Sequence, residues 1–114
     1  MTERLVDVKA LDAALARFAR ARRWESYHSP KNLAMALTGE VGELVEIFQW
    51  LTEEQSRSVA QDPETAEAVR DELADVLIYL VELAAALGVD LNEAVNAKLV
   101  KNALKYPAEP DPAA

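Results

Sequence analysis

No cysteine occurs in the 114 residues, which removes disulfides and thiolate metal sites from consideration. Glycine is scarce, at three residues, too few for a fold with many tight turns. Aromatic side chains make up only 6% of the chain, so the core must be largely aliphatic. No apolar run reaches the roughly 18 residues of a membrane span. The opening MTERLVDVKALD is too charged for the apolar region of a signal peptide. Basic residues are in the minority, 12 against 20 acidic ones, for a formal net charge of −8. Nucleic-acid phosphates need basic surface, so this balance argues against generic nucleic-acid binding. It leaves room for a small phosphorylated ligand whose charge is met by a metal. The expectation is a cytoplasmic protein with no nucleic-acid and no membrane partner.

What is present favours helix. Apolar residues amount to 51%, with alanine and leucine abundant, and the length suits one compact domain. Val8, Leu11, Leu15 and Phe18 recur at helical spacing and predict a first helix over Val6–Arg23. The connector WESYHSPKN follows, its helix propensity broken at Ser29 by Pro30. A second helix is expected from Lys31 or Asn32 to Leu51. Thr52 and Gln55 form a capping-box pattern for a short helix over TEEQSRSVAQ. Asp62-Pro63 predicts the start of a third long helix running to Leu87, with Gly88 as its cap. Asp90 and Glu93 open a fourth, from Leu91 to Lys105, which Pro107 stops. No strand alternation or helical repeat is present. The expected fold is all-α, a four-helix bundle with an additional short helix over residues 1–107, followed by a frayed tail over 108–114.

The third long helix is apolar nearly all round. Leu73, Val76, Leu80, Leu83 and Leu87 form one stripe, and Ala74, Leu77, Ile78 and Val81 cover the opposite side. Such a helix is buried on both faces. In a chain this short, the second face points to another subunit and hence a homo-oligomer, with a central helix in a monomer as the alternative.

The second helix carries GEVGELVEIFQW. At about 100° per residue its stripe is Leu33, Leu37, Val41, Leu44, Phe48 and Leu51, and Glu40 falls within that arc. Glu43 lies at the edge, about 60° away. On the third long helix Glu72 borders the apolar stripe, with Asp75 one turn on. One acid pair at this spacing is common on a solvated face. Two pairs in equivalent positions, both beside apolar residues, are different. Four converging carboxylates would repel or take up protons, and a divalent cation removes the difficulty, oxygen ligands favouring Mg2+ or Mn2+. Gly39 and Gly42 are each about 1 kcal/mol worse than alanine in a helix, and are expected to permit close helix approach.

Other residues suit a nucleotide. The fourth helix turns from apolar to basic and amide through Lys98, Asn102 and Lys105, which could reach a phosphate or simply complement the helix dipole. Trp24, His28 and Asn32 cluster in the first connector and Trp50 closes the second helix. Their rings suit a flat base, although both tryptophans could equally anchor the core. Tyr79 lies one turn after Asp75 on the same edge.

Together these segments resemble a known family. E-x-x-E in GEVGELVEIFQW and E-x-x-D in DELADVLIYLVELA look like the all-α nucleoside triphosphate pyrophosphohydrolases related to MazG. WESYHSPKNL, the FQW ending, DVLIYL and KLVKNALKYP are most similar to the dCTP pyrophosphatase branch, over roughly Phe18 to Pro107. The resemblance implies magnesium-dependent cleavage of a nucleoside triphosphate between the α- and β-phosphates. It implies Glu40, Glu43, Glu72 and Asp75 as metal ligands, with Glu40 or Glu43 as general base. Lys98 and Asn102, with Lys105 or Tyr106 as an addition, would hold phosphates. Trp24, His28, Trp50 and Tyr79, joined by Asn32, would shape the base and sugar pocket. A four-helix architecture assembled as a tetramer, a dimer of dimers, is implied too. One departure is Leu15, where animal relatives carry a histidine. An aliphatic side chain there removes one polar contact. dCTP or modified dCTP is thus set against dUTP or a broader range of triphosphates. A non-catalytic helical oligomer with a structural metal site is the alternative of another class.

Overall fold

The computed structural model describes residues 2–110. Among them the elements are α1 (Lys9–Ala21), a 3-10 turn (Glu25–Tyr27), α2 (Pro30–Phe48), the short α3 (Glu53–Ser56), α4 (Ala66–Leu87) and α5 (Leu91–Lys105), with no strand. The all-α expectation holds. The far part of the expected frayed tail, 111–114, lies outside the described residues. No helix among them is long and apolar enough to cross a membrane.

Local chemistry explains most of the ends. Ser29 Oγ accepts the Asn32 N–H at 3.2 Å, and Pro30 occupies the first helical position of α2, where its missing N–H costs nothing. The Thr52–Gln55 capping box is formed in both directions. Its helix is shorter than expected, because from Arg57 onward the backbone bonds tighten to i→i+3. Pro63 does not begin α4 either. Asp62 Oδ1 accepts the Glu64 N–H at 2.9 Å and Thr65 Oγ1 donates to the Val59 carbonyl at 2.6 Å, holding a turn until Ala66. Gly88 ends α4 at φ 68°, with Val89 N–H bonded to Ala84 O and Gly88 N–H to Ala85 O, a Schellman closure.

Two ends needed more than local sequence. The expected first turn of α1 at Val6 is absent because the Leu5 and Val6 N–H groups both donate to Asn92 Oδ1, at 2.8 and 2.9 Å. Asn96 Nδ2 adds a bond to the Glu3 carbonyl at 3.0 Å. The N-terminal segment is therefore pinned to α5 outside any helix. At its other end α1 closes with the bond pattern of α4, Trp24 N–H reaching Ala19 O, but Arg23 takes the left-handed conformation at φ 57°. That conformation costs a non-glycine residue roughly 1–2 kcal/mol. It turns the chain so that Trp24 and the 3-10 segment fold back over α1.

α2 and α4 form the principal packed pair and α1 lies against α4, whereas α5 touches the other helices only sparsely. The core is small: Ala19, Leu33, Val59, Val69, Val81 and Ala84 are buried, with Leu33 at 2% and Val81 at 1% exposure. On α4 the face buried within the chain is therefore that of Val81 and Ala84. Leu73, Leu77, Leu80 and Leu87 are exposed. On α2, Met35, Val41 and Val45 are exposed as well, and nothing approaches within 4 Å of where a Cβ would sit on Gly39 or Gly42. The close approach expected at those glycines does not occur within one chain. The radius of gyration is 17.8 Å, against about 13 Å for a compact domain of this length. The accessible surface is 9071 Å², against roughly 6,200 Å² for a folded monomer of this mass.

Candidate active site

Glu40 and Glu43 lie on α2, and Glu72 lies on α4 where the two helices pack. One carboxylate oxygen from each falls within 4.8 Å of the other two. Glu40 Oε2 and Glu72 Oε2 are buried and have no hydrogen-bond partner. Buried polar atoms without partners are rare, because desolvation is then uncompensated. The adjacent Glu40 carboxyl, then burial and the remaining acids, push the Glu72 carboxyl up to about 7. The neighbouring Glu72 carboxyl lowers the pKa of Glu40, but burial and the charges of Glu43 and Asp75 outweigh it and leave Glu40 above its ordinary value. Three carboxylates crowded in this way form an oxygen-rich donor set suited to a hard divalent cation. Asp75 stands outside this tight group, near enough for its charge to act on Glu40 and Tyr79, and it lines the adjoining cavity.

That cavity, of about 340 Å³, is walled by Leu15 and Phe18 of α1, Trp24 and His28 of the connector, and Asp75, Ile78, Tyr79 and Glu82 of α4. A second of about 320 Å³ lies across Trp24, His28 and Tyr79, against Tyr27, Asn32, Leu33 and Ala36. Phe18 and Trp24 meet edge to face at 5.6 Å, and Trp24 is tilted against His28 at 6.5 Å. The Arg22 guanidinium sits 3.4 Å over the Phe18 ring, and Asn32 Nδ2 donates to the Tyr27 carbonyl at 3.1 Å. Tyr79 stands between acids and aromatics. Burial first, then the charges of Glu40, Glu82 and Asp75, hold its pKa above 10, so its hydroxyl remains a donor. Acid cluster and recess thus adjoin, with dimensions that suit a small organic ligand.

Not every residue singled out in the sequence joins this group. Trp50 is 86% exposed past the end of α2 and lines neither cavity. Lys98, Asn102, Lys105 and Tyr106 belong to α5 and its end, which the chain packs only sparsely against the rest. Asn102 is partly covered, and Lys105 lies over the Tyr106 ring at 5.4 Å. Conversely, Phe18, Tyr27 and Glu82 line the recess without having been singled out. Glu82 was within reach of helical spacing, three residues after Tyr79 and seven after Asp75.

A MazG-like family model matches residues 36–112. The chain belongs to the MazG-like family. Its matched span holds all four carboxylates. Among curated relatives, the dCTP pyrophosphatase 1 proteins of Homo sapiens and Bos taurus are each 48% identical to it. The match to the human protein covers 91% of this chain and that to the bovine protein 90%. The chain spans 59% of the length of either relative. A solved pyrophosphatase from Archaeoglobus fulgidus superposes with a TM-score of 0.82 at 38% identity, over 95% of this chain and 99% of that one.

Proposed function

We propose that the protein hydrolyses dCTP, or a base-modified dCTP, between the α- and β-phosphates, releasing the monophosphate and pyrophosphate and so trimming the nucleotide pool. The observation that carries this is the junction of two features: three carboxylates with two unpartnered buried oxygens, opening beside an aromatic recess. The names of the dCTP pyrophosphatase 1 relatives and of the Archaeoglobus pyrophosphatase support the substrate class and the bond broken.

Glu40, Glu43 and Glu72 would hold Mg2+, or Mn2+ in its place, with Asp75 as a fourth acid. When bound, such a cation neutralises phosphate oxygens and lowers the pKa of water. The chain's own groups do the rest. Glu40 or Glu43 accepts the proton of the attacking water, which needs a carboxylate left ionised among its neighbours. Trp24 and His28 present ring faces to the base and Tyr79 offers a hydroxyl proton at the boundary of base and phosphates. Lys98 and Asn102, with Lys105 and Tyr106, are assigned to the outer phosphates.

One subunit does not bring α5 and Trp50 to the acids, and its apolar faces on α2 and α4 are open. The protein is accordingly proposed to work as a homo-oligomer, a tetramer built as a dimer of dimers. The excess of accessible surface over a compact monomer supports this. Incubation with a panel of deoxynucleoside and nucleoside triphosphates and Mg2+ tests the activity. Monophosphate and pyrophosphate from dCTP are expected; release of orthophosphate, or no turnover, rules it out.

A further inference from the structure

The recess contains one charged group to which the proposed chemistry gives no task. Glu82 projects from α4 into the wall shared by the 340 Å³ cavity and a neighbouring one of about 220 Å³, facing Leu15 and His28 in both. Its carboxyl is half-covered. Burial raises its pKa, opposed only by the charge of His28, and no hydrogen bond contributes. A carboxylate placed among Leu15, Phe18, Trp24 and Ile78 without a donor is a cost to the empty protein. A ligand that supplies N–H groups removes that cost.

Position narrows the ligand. Asp75, Tyr79 and Glu82 follow one another at four and three residues on the same side of α4, so Glu82 stands about 10 Å along the axis from Asp75. With phosphates at the acids and the base among the rings, that separation brings the far edge of a pyrimidine to Glu82. An ionised carboxylate is acceptor-only. It can take the amino hydrogens at C4 of a cytosine-type base, whereas a 4-oxo base presents a carbonyl oxygen that repels it.

We propose that Glu82 is the specificity-determining residue of the recess, its carboxylate accepting the exocyclic amino group of a 4-aminopyrimidine and disfavouring 4-oxo pyrimidines. This rests on the recess being a pyrimidine site, but not on turnover. The test therefore reads binding: dCMP and dUMP are titrated calorimetrically, with Mg2+, into the wild-type protein, E82Q and E82A. The wild type is expected to prefer dCMP by about tenfold or more. Both variants should bring the two affinities together, E82Q because its amide offers either a donor or an acceptor to the same edge. Far-UV helicity identifies a misfolded variant, and E82Q, nearly the same shape, remains if E82A fails. A ratio unchanged in the folded variants overturns the proposal, as does a wild type that binds both alike or neither. Equal weakening of both nucleotides leaves the ratio unchanged and marks Glu82 as only a partner for His28. Discrimination through Glu82 without triphosphate hydrolysis would refute the proposed activity alone. Hydrolysis of dCTP with an unaltered ratio would refute this inference alone.

Discussion

The α2–α4 pair and α5 carry two halves of one proposed site and differ in how the chain holds them. The pair contains Leu33, Val69, Val81 and Ala84, four of the six buried apolar side chains among the described residues, and crowds three carboxylates at its edge. α5 has no buried residue, leaves Leu99, Val100 and Leu104 exposed, and is tied chiefly through Asn92 and Asn96 to the N-terminal segment. The acids are thus fixed by the folding of one chain, whereas Lys98 and Asn102 stand on a helix whose apolar side has no partner within it. On the proposed assignment of Lys98 and Asn102 to the phosphates, such a site would be completed only by another surface over α5.

The contrast is broken most severely at the acids. Glu72→Gln keeps the size of the side chain and removes a charge, and is expected to lower triphosphate turnover at least about a hundredfold. Loss of groups that only orient ligands already costs 10–100-fold in metal sites. Helicity and oligomer mass should not change, and full activity in the variant would remove Glu72 from the cation site. Next comes the core of the pair. Leu33→Ala should destabilise the protein by about 2–5 kcal/mol, read by chemical denaturation, whatever the protein concentration. Leu104→Ala on α5, where the side chain is 81% exposed, should matter only as far as another subunit covers it. Its effect is expected to be smaller and to grow with protein concentration; a concentration-independent loss equal to that of Leu33→Ala would erase the distinction.

The mildest probe is pH. Glu72 titrates at about 7 against an ordinary 4.5, so the cation-free native state holds a proton that the unfolded chain has already released between those values. Stability of the cation-free protein should therefore fall as pH rises through that window. A cation must displace the same proton, so Mg2+ affinity should rise about tenfold per unit up to near pH 7 and then level off. Titrations between pH 5.5 and 8 check this, and a flat profile below 7 would contradict the raised Glu72 carboxyl.

Features that depend on a few neighbouring residues were legible in the chain. The Thr52–Gln55 capping box and the Gly88 closure of α4 each rest on bonds within five residues. The acid pairs were visible for the same reason, since helical spacing alone puts Glu40 beside an apolar arc. The left-handed Arg23 was not, because nothing in ARARRW marks that conformation and no glycine stands there. Nor was the late start of α1, decided by Asn92 from 86 and 87 residues away.

The faces of α4 show where the boundary falls. Apolar residues all round predict a cover for both sides of the helix, and within one chain only one side receives it. They could not say which side α2 would take, since Leu73 and Leu80 are as apolar as Val81, and packing chose Val81 and Ala84. Glu82 makes the same point from the polar side. Its spacing from Tyr79 was plain in the chain, but only the fold of Arg23, Trp24 and His28 back onto α4 made it the wall of a cavity. Periodicity states which residues share a helix face. The long-range contacts, each chosen by the fit and desolvation of two surfaces at once, state what that face meets.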